Sequence, residues 1–158
     1  MAVFRAFKAL RPAREKAAAV AALPYDVVSR EEAAAIGKEN PDSFLHVDRA
    51  EMDLPADAGL YDPEVYKKAK ENLLQMEEKG ILSQDHKPCY YIYELVRKGK
   101  VQTGIAGCAS IDDYLNNVVK KHELTRSDKE LDRINHVDVC DANTGPIYLA
   151  CRYTDRLS

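Results

Sequence analysis

Lys120, Lys121, His122, Glu123, Thr125, Arg126, Asp128, Lys129, Glu130, Asp132, Arg133, His136 and Asp138 crowd into one short stretch of the chain. A phosphorylated ligand needs cationic donors for its phosphates. It also needs a carboxylate or imidazole to move a proton, or a carboxylate to hold Mg²⁺. All of those residue types are present. Arg126 and Arg133 can each give two-pronged donation to a phosphate. The competing reading is a solvated helical face laced with salt bridges, the usual meaning of a charge run. His122 and His136 invite a metal site with Glu123, Asp132 or Asp138, but no HExxH-type spacing supports one, so no metal ligands are assigned.

Two other segments can carry an anion. Asp141-Ala142-Asn143-Thr144-Gly145-Pro146 is a loop that can turn backbone N–H groups toward it. It can equally be a plain turn in which Asn143 and Thr144 bond their own backbone. Tyr25 and Asp26 stand just ahead of a helix N-terminus, where free N–H groups favour anions. There the alternative is that Ser29 simply caps the helix and Tyr25 packs. Glu15, after Leu10-Arg11-Pro12, reads on its own as a first-turn helix carboxylate.

The elements that must position these residues follow from patterning. Arg14 to Ala22 favours helix and Pro24 ends it. Ser29-Arg30-Glu31-Glu32 is a capping box opening a short helix through Ala33 to Ile36, stopped by Gly37 or by Asn40-Pro41. Phe44 to Val47 is a short strand candidate. Residues 51–61, acidic and holding Pro55 and Gly59, read as a surface loop. Asp62-Pro63 opens the clearest helix, with Val65, Ala69, Leu73 and Met76 on one face and Gly80 as its stop. Cys89 to Val96 and Val101 to Ala109 make a hairpin about Lys98-Gly99, with Gly104 and Gly107 marking a bulge or a close backbone approach. Ser110 caps a helix carrying Tyr114, Leu115, Val118 and Val119. Ser127-Asp128-Lys129-Glu130 is a second capping box, opening a helix through Leu131 and Ile134 to about Val137. Ile147 to Arg152 is a last apolar strand. The order gives an α+β class: a mixed sheet with a β-hairpin flanked by helices.

The chain has 158 residues with a formal charge of −3 and a pI near 5.8. That length suits one domain, and the charge lacks the basic excess of nucleic-acid binders. Tyr90, Tyr91 and Tyr93 can stack bases, but no basic residues are interleaved, so packing explains them better. No apolar run reaches the roughly 20 residues of a membrane span, and the start lacks a secretory signal. Cys89, Cys108, Cys140 and Cys151 match no zinc spacing and read as buried free thiols of a reducing, cytoplasmic compartment.

Five segments together resemble one bacterial and archaeal family of unknown function whose members are often labelled ParB-like. They are Pro24-Tyr25-Asp26-Val27-Val28-Ser29, Asn40-Pro41-Asp42-Ser43-Phe44-Leu45-His46-Val47-Asp48-Arg49, Val101-Gln102-Thr103-Gly104, Lys120-Lys121-His122-Glu123-Leu124-Thr125-Arg126 and Asn143-Thr144-Gly145-Pro146. That family is similar to a superfamily holding ParB domains, sulfiredoxin and free-serine kinases. The resemblance implies a ParB/serine-kinase-like fold, incomplete here. Relatives are longer and carry a later Asp-Gly-His-His-Arg type motif that this sequence lacks, so the chain is expected to be the N-terminal portion of such a protein.

The resemblance also implies a phosphoryl transfer from ADP or ATP, with Mg²⁺, to a small hydroxy amino acid. Glu15 then matches the kinases' Glu after a Leu-x-Pro segment, although Arg14 stands where a histidine often precedes it. Together with His122 and Glu123 it makes the catalytic set. Tyr25, Asp26, Lys121, Thr125, Arg126, Asn143, Thr144 and Gly145 make the nucleotide set. The alternative is a non-catalytic module that binds a nucleotide or a partner. A homodimer would be one way to cover apolar surface left open by the missing part.

Overall fold

The structure is a computed structural model and describes residues 2–121 and 125–151. Its best-determined element by sequence is the long helix. Pro63 occupies the first helical position, where no N–H is needed, and Asp62 precedes it. The Asp62 carboxylate turns back to accept from the Gly59 N–H at 2.7 Å, so it ties the preceding loop and leaves the helix's own N–H groups alone. At the other end the Gly80 N–H donates to Glu77 and the Ile81 N–H to Met76, both at 2.9 Å. This is a Schellman closure, and it needs the left-handed φ of +66° that Gly80 supplies without a Cβ penalty.

In chain order the elements are β1 (Phe4–Arg5), β2 (Leu10–Pro12), α1 (Ala17–Val20), α2 (Arg30–Glu39), α3 (Leu45–Asp48), α4 (Pro63–Glu78) and β3 (Leu82–Gln84). They continue with β4 (Tyr91–Arg97), β5 (Lys100–Ala106), β6 (Cys108–Ala109), α5 (Ile111–Leu115) and α6 (Ser127–Cys140). Short 3₁₀ turns at Tyr25–Val27 and Ala50–Asp53 complete the described part. The class is α+β, as expected. Its sheet content is three separate antiparallel pairs, β1 with β6, β2 with β3 and β4 with β5.

The main core packs α4 against α3, the Ala50 turn, α1 and β3, through Val20, Val47, Ala50, Val65, Ala69, Leu73, Met76, Ile81 and Leu82. A smaller core gathers Val28, Ala33 and Leu45 under α2. The capping box at Ser29 is present in full, with the Ser29 hydroxyl accepting from Glu32 N–H and the Glu32 carboxylate from Ser29 N–H. The helix it opens runs past Gly37 to Glu39 and stops at Asn40-Pro41. Ser110 caps α5 through the Asp113 N–H, but Val118 and Val119 lie beyond the helix.

Several sequence expectations are corrected. Phe44 to Val47 is helical, not a strand: Leu45 and Val47 alternate because they serve two different cores. Residues 51–61 do not all lie on the surface, since Glu51 is buried in the Ala50 turn. Ser127 is the first residue of α6, not its cap, and the preceding Arg126 has no side-chain cap bond. Leu131, Ile134 and Val137 face outward while Asp132, His136 and Cys140 face the core. The ladder runs unbroken past Gly104, and it is at Gly107 that the Phe4 ring approaches closely. Residues 147–151 form no strand, and Arg152 lies outside the described residues. Cys89, Cys108 and Cys151 are exposed, and Cys140 alone of the four is buried.

Among the described residues no helix is long and apolar enough to cross a membrane. The β4–β5 hairpin turns at Lys98 and Gly99, both at positive φ, as a two-residue loop requires. Its Ile92, Ile105, Val96 and Val101 share one face, and each is more than half exposed.

Candidate functional site

The segment Asn40–Arg49 positions the site. Asn40 donates from Nδ2 to the Ala19 carbonyl at 2.6 Å, fixing α2 against α1. Ser43 is fully buried and its hydroxyl receives the Leu45 N–H. With Leu45 and Val47 anchored in the two cores, the residues between and after them, His46, Asp48 and Arg49, are half-buried and enter two different cavities.

Asp48, Arg49 and Glu51 meet α6 across a cavity of about 40 Å³, also lined by Tyr25, Tyr66, Lys129, Asp132, Arg133 and His136. That volume holds two or three waters, or one polar group of a ligand, at roughly 10–15 Å³ each. Tyr66 donates from its hydroxyl to Asp132 Oδ1 at 3.1 Å, and Arg133 reaches Asp132 Oδ2 at 3.0 Å. The Arg133 guanidinium lies 4.2 Å over the Tyr25 ring, and Lys129 reaches the Tyr61 hydroxyl at 3.1 Å. Two cations therefore stand at the mouth, each held by a tyrosine.

Inside, satisfaction is incomplete. Arg49 Nε lies 2.9 Å from Glu51 Oε1, close enough for an ion pair but misaligned for a hydrogen bond. Asp48 Oδ1, Arg49 Nε and Glu51 Oε1 are all buried without a hydrogen-bond partner. A buried polar atom left unpaired costs about 1–3 kcal/mol, so Asp48 Oδ1 is the atom here that would take a water or a ligand group. Burial pushes the Asp48 carboxyl up from its ordinary value, against the opposing pull of the Thr144 hydroxyl and the Arg133 charge. Burial and the Arg133 charge push His136 down to about 4, so its imidazole is neutral at pH 7.

A second polar cluster lies on another face of α4. His46 Nδ1 is 2.9 Å from Asp53 Oδ2, its Nε2 is 3.4 Å from the Gly37 carbonyl, and Asn72 donates to both the His46 carbonyl and Asp53. The Asp53 hydrogen bond is the main cause of a raised His46 pKa, partly offset by burial. Burial pulls Asp53 up, but its bonds to His46 and Asn72 outweigh it and hold the carboxyl low.

The two histidines act on stability with opposite signs. His46 is protonated in the fold above its unfolded value of 6.5, so its contribution is full below that pH and fades as pH rises through the folded value. His136 stays neutral in the fold while the unfolded chain protonates near 6.5, so stability falls as pH drops from 6.5 toward 4. Urea midpoints are expected to peak near neutrality. The acid limb should cost on the order of 3 kcal/mol. His136→Gln should flatten that limb and His46→Gln the alkaline one.

Of the residues expected from sequence, Tyr25 lines this cavity, under Arg133, and Thr144 touches Asp48 without lining it. Glu15 and Asp26 are exposed and do not line it. Lys121 sits 4.5 Å over the Tyr114 ring, and Arg126 chelates Asp128, both away from it. Thr125, Asn143 and Gly145 are exposed and outside it. His122 and Glu123 lie outside the described residues. Asp48, Arg49, Glu51 and Tyr66 were not singled out. The usable signal was the Asp132, His136, Cys140 spacing of four, which marks one helical face.

Residues 4–158 match the model of a family described as "Protein of unknown function (DUF1015)". The chain belongs to that family. No curated protein and no solved structure matches it. The family match therefore agrees with the unknown-function family reached from the motifs. The match does not extend to ParB domains, sulfiredoxin or free-serine kinases.

Proposed function

We propose that this protein binds a small ligand bearing a phosphate or other anionic group at the Asp48–Arg133 cavity, and that the ligand is a nucleotide. The observation that carries this reading is the buried Asp48 Oδ1 without a hydrogen-bond partner, beside the Arg49–Glu51 ion pair and behind a mouth guarded by Lys129 and Arg133. A cavity of about 40 Å³ admits one group of the ligand; the rest would lie across Tyr25 and Tyr61. Asp48 and Glu51 are also the residues that would hold Mg²⁺, which keeps most of its ligands from phosphate and water and takes only one or two carboxylates. Bound there, the ion would neutralise phosphate charge. Among the described residues no three His, Cys, Asp or Glu side chains converge as an all-protein metal cage.

A catalytic reading uses the same pocket, and the raised pKa of Asp48 favours it. A carboxylate with an unpartnered oxygen and a proton affinity above the ordinary range can accept the hydroxyl proton of a hydroxy amino acid during phosphoryl transfer. The kinase resemblance supplies that substrate class. Four free cysteines fit the proposed cytoplasmic location. A homodimer is proposed because the β4–β5 hairpin leaves Ile92, Val96, Val101 and Ile105 exposed on one face. Sedimentation as a monomer at every concentration would exclude it.

The test is a thermal-shift panel with ADP, ATP and CTP, each with and without Mg²⁺ and serine. At least one nucleotide should raise Tm, and Arg133→Met should weaken that binding at least about tenfold by removing a charge-assisted donor. A nucleotide bound but never consumed selects the binding module. Phosphoserine formation, lost in Asp48→Asn, selects the transferase. No shift with any nucleotide refutes the proposal.

A further inference from the structure

We propose that the cavity between α4 and the His46 turn is a second binding site, for a small organic oxyanion, a phosphate monoester or a carboxylate with a short apolar group. It has about 320 Å³, at the lower end of the roughly 300–1,000 Å³ of small-molecule sites, and shares no lining residue with the Asp48 cavity.

Lys68, Asn72, Gln75 and Lys79 recur at i, i+4, i+7 and i+11 and so form one stripe of α4 and its C-cap, facing His46 and Pro41. The charge balance is the argument. The whole chain is acidic, at −3, yet this cavity gathers Lys68 and Lys79 against a single carboxylate, Asp53. Asp53 is already committed to His46 and Asn72, at 2.9 and 2.8 Å. His46 Nδ1 pairs with the Asp53 carboxylate, so the free charge of the cavity comes from Lys68 and Lys79. Hydrogen bonds to an oxyanion would come from those lysines and from Gln75. Lys68 also touches Glu71 at 3.5 Å, a long i,i+3 contact to an exposed carboxylate, too weak to withhold it. Met76 and Ile81, both buried, form an apolar wall, which is why the ligand carries an apolar group beside its charge.

The test is an amide NMR titration of the whole chain with inorganic phosphate, phenyl phosphate and benzoate. Saturable shifts of the Asn72 and Gln75 side-chain amides are expected in the millimolar range, tighter for phenyl phosphate than for phosphate. Benzoate matching phenyl phosphate assigns the site to carboxylates, and a clear preference for the latter assigns it to phosphates. Lys68→Gln and Lys79→Gln should each weaken binding roughly fivefold, and both lie on the rim, so the unperturbed amide spectrum serves as the folding control. Arg133→Met, in the other cavity, should leave it unchanged, which separates this site from the nucleotide proposal. The inference is overturned by no saturable shift with any probe, by binding that survives the double lysine variant, or by binding that vanishes with Arg133→Met.

Discussion

Arg30→Met is expected to destabilise the protein by about 3 kcal/mol, lowering Tm by roughly 6 to 12 °C. The Arg30 guanidinium makes no carboxylate pair among the described residues; it spends its donors on backbone carbonyls. Nη1 reaches Ala56 and Ala58 at 3.2 and 3.0 Å, and Nη2 reaches Glu51, Leu54 and Pro55 at 2.8, 3.3 and 2.8 Å. One side chain thus organises residues 51–58, which have no regular structure after the Ala50 turn. Some of those carbonyls are partly buried, and removing their charged donor leaves them unpaired. Arg30→Lys keeps the charge but offers one nitrogen where the fork offers two, so it should recover only part of the loss. Urea melts of the two variants, with limited proteolysis of residues 54–61, check this. A melt unchanged in Arg30→Met would show that the loop holds itself. Because Glu51 enters the ligand cavity from this loop, the same variant should weaken any nucleotide binding measured there.

How far the fold could be read from sequence depends on how local its causes are. α4, the Ser29 box and the Lys98-Gly99 turn were legible because capping, a positive-φ glycine and a four-residue apolar spacing all act within a few residues. α3 was not, because its two anchors answer to separate cores brought together only by tertiary structure. The polar buried face of α6 has a similar origin. Asp132 finds Tyr66 and Arg133, and His136 sits against Cys140 at 3.8 Å. Polar residues can be buried when partners from other elements satisfy them, and a partner 66 residues away leaves no local trace.

The same reason explains the partial view of the site. The charge run did contain Asp132, Arg133 and His136, Tyr25 was chosen from a turn that reaches the cavity, and Thr144 from a loop that touches Asp48. Asp48 and Arg49 were visible only as members of a motif, since nothing in the residues themselves says that a carboxylate will be buried. Glu51 looked like one acid of a polar loop until Arg30 drew that loop inward. Glu15 was carried by family resemblance, and its exposed position gives it no neighbour in either cavity.

Leu45→Ala should cost more than the loss of Arg30, about 4 kcal/mol, and for an unrelated reason. Leu45 is 1% exposed and packs with Val28, Ala33 and Met52 in the smaller core. Truncating a fully buried leucine costs roughly 2.7–5.0 kcal/mol, the upper part arising where the cavity cannot collapse. Here the walls are the capped start of α2 and the Ala50 turn, both tied down by Arg30, so little collapse is expected. The variant also tests what the motif around residue 45 is for. If Leu45 anchors the turn that aims His46 and Asp48, its loss should disturb both cavities without touching either, lowering the affinity for nucleotide and for phenyl phosphate together. Leu45→Met, which keeps most of the volume, should cost less than about 1.5 kcal/mol and restore both. Binding retained at wild-type strength in a destabilised Leu45→Ala protein would mean that the backbone of α3, held by Ser43 and the Phe44 carbonyl, sets the geometry without it.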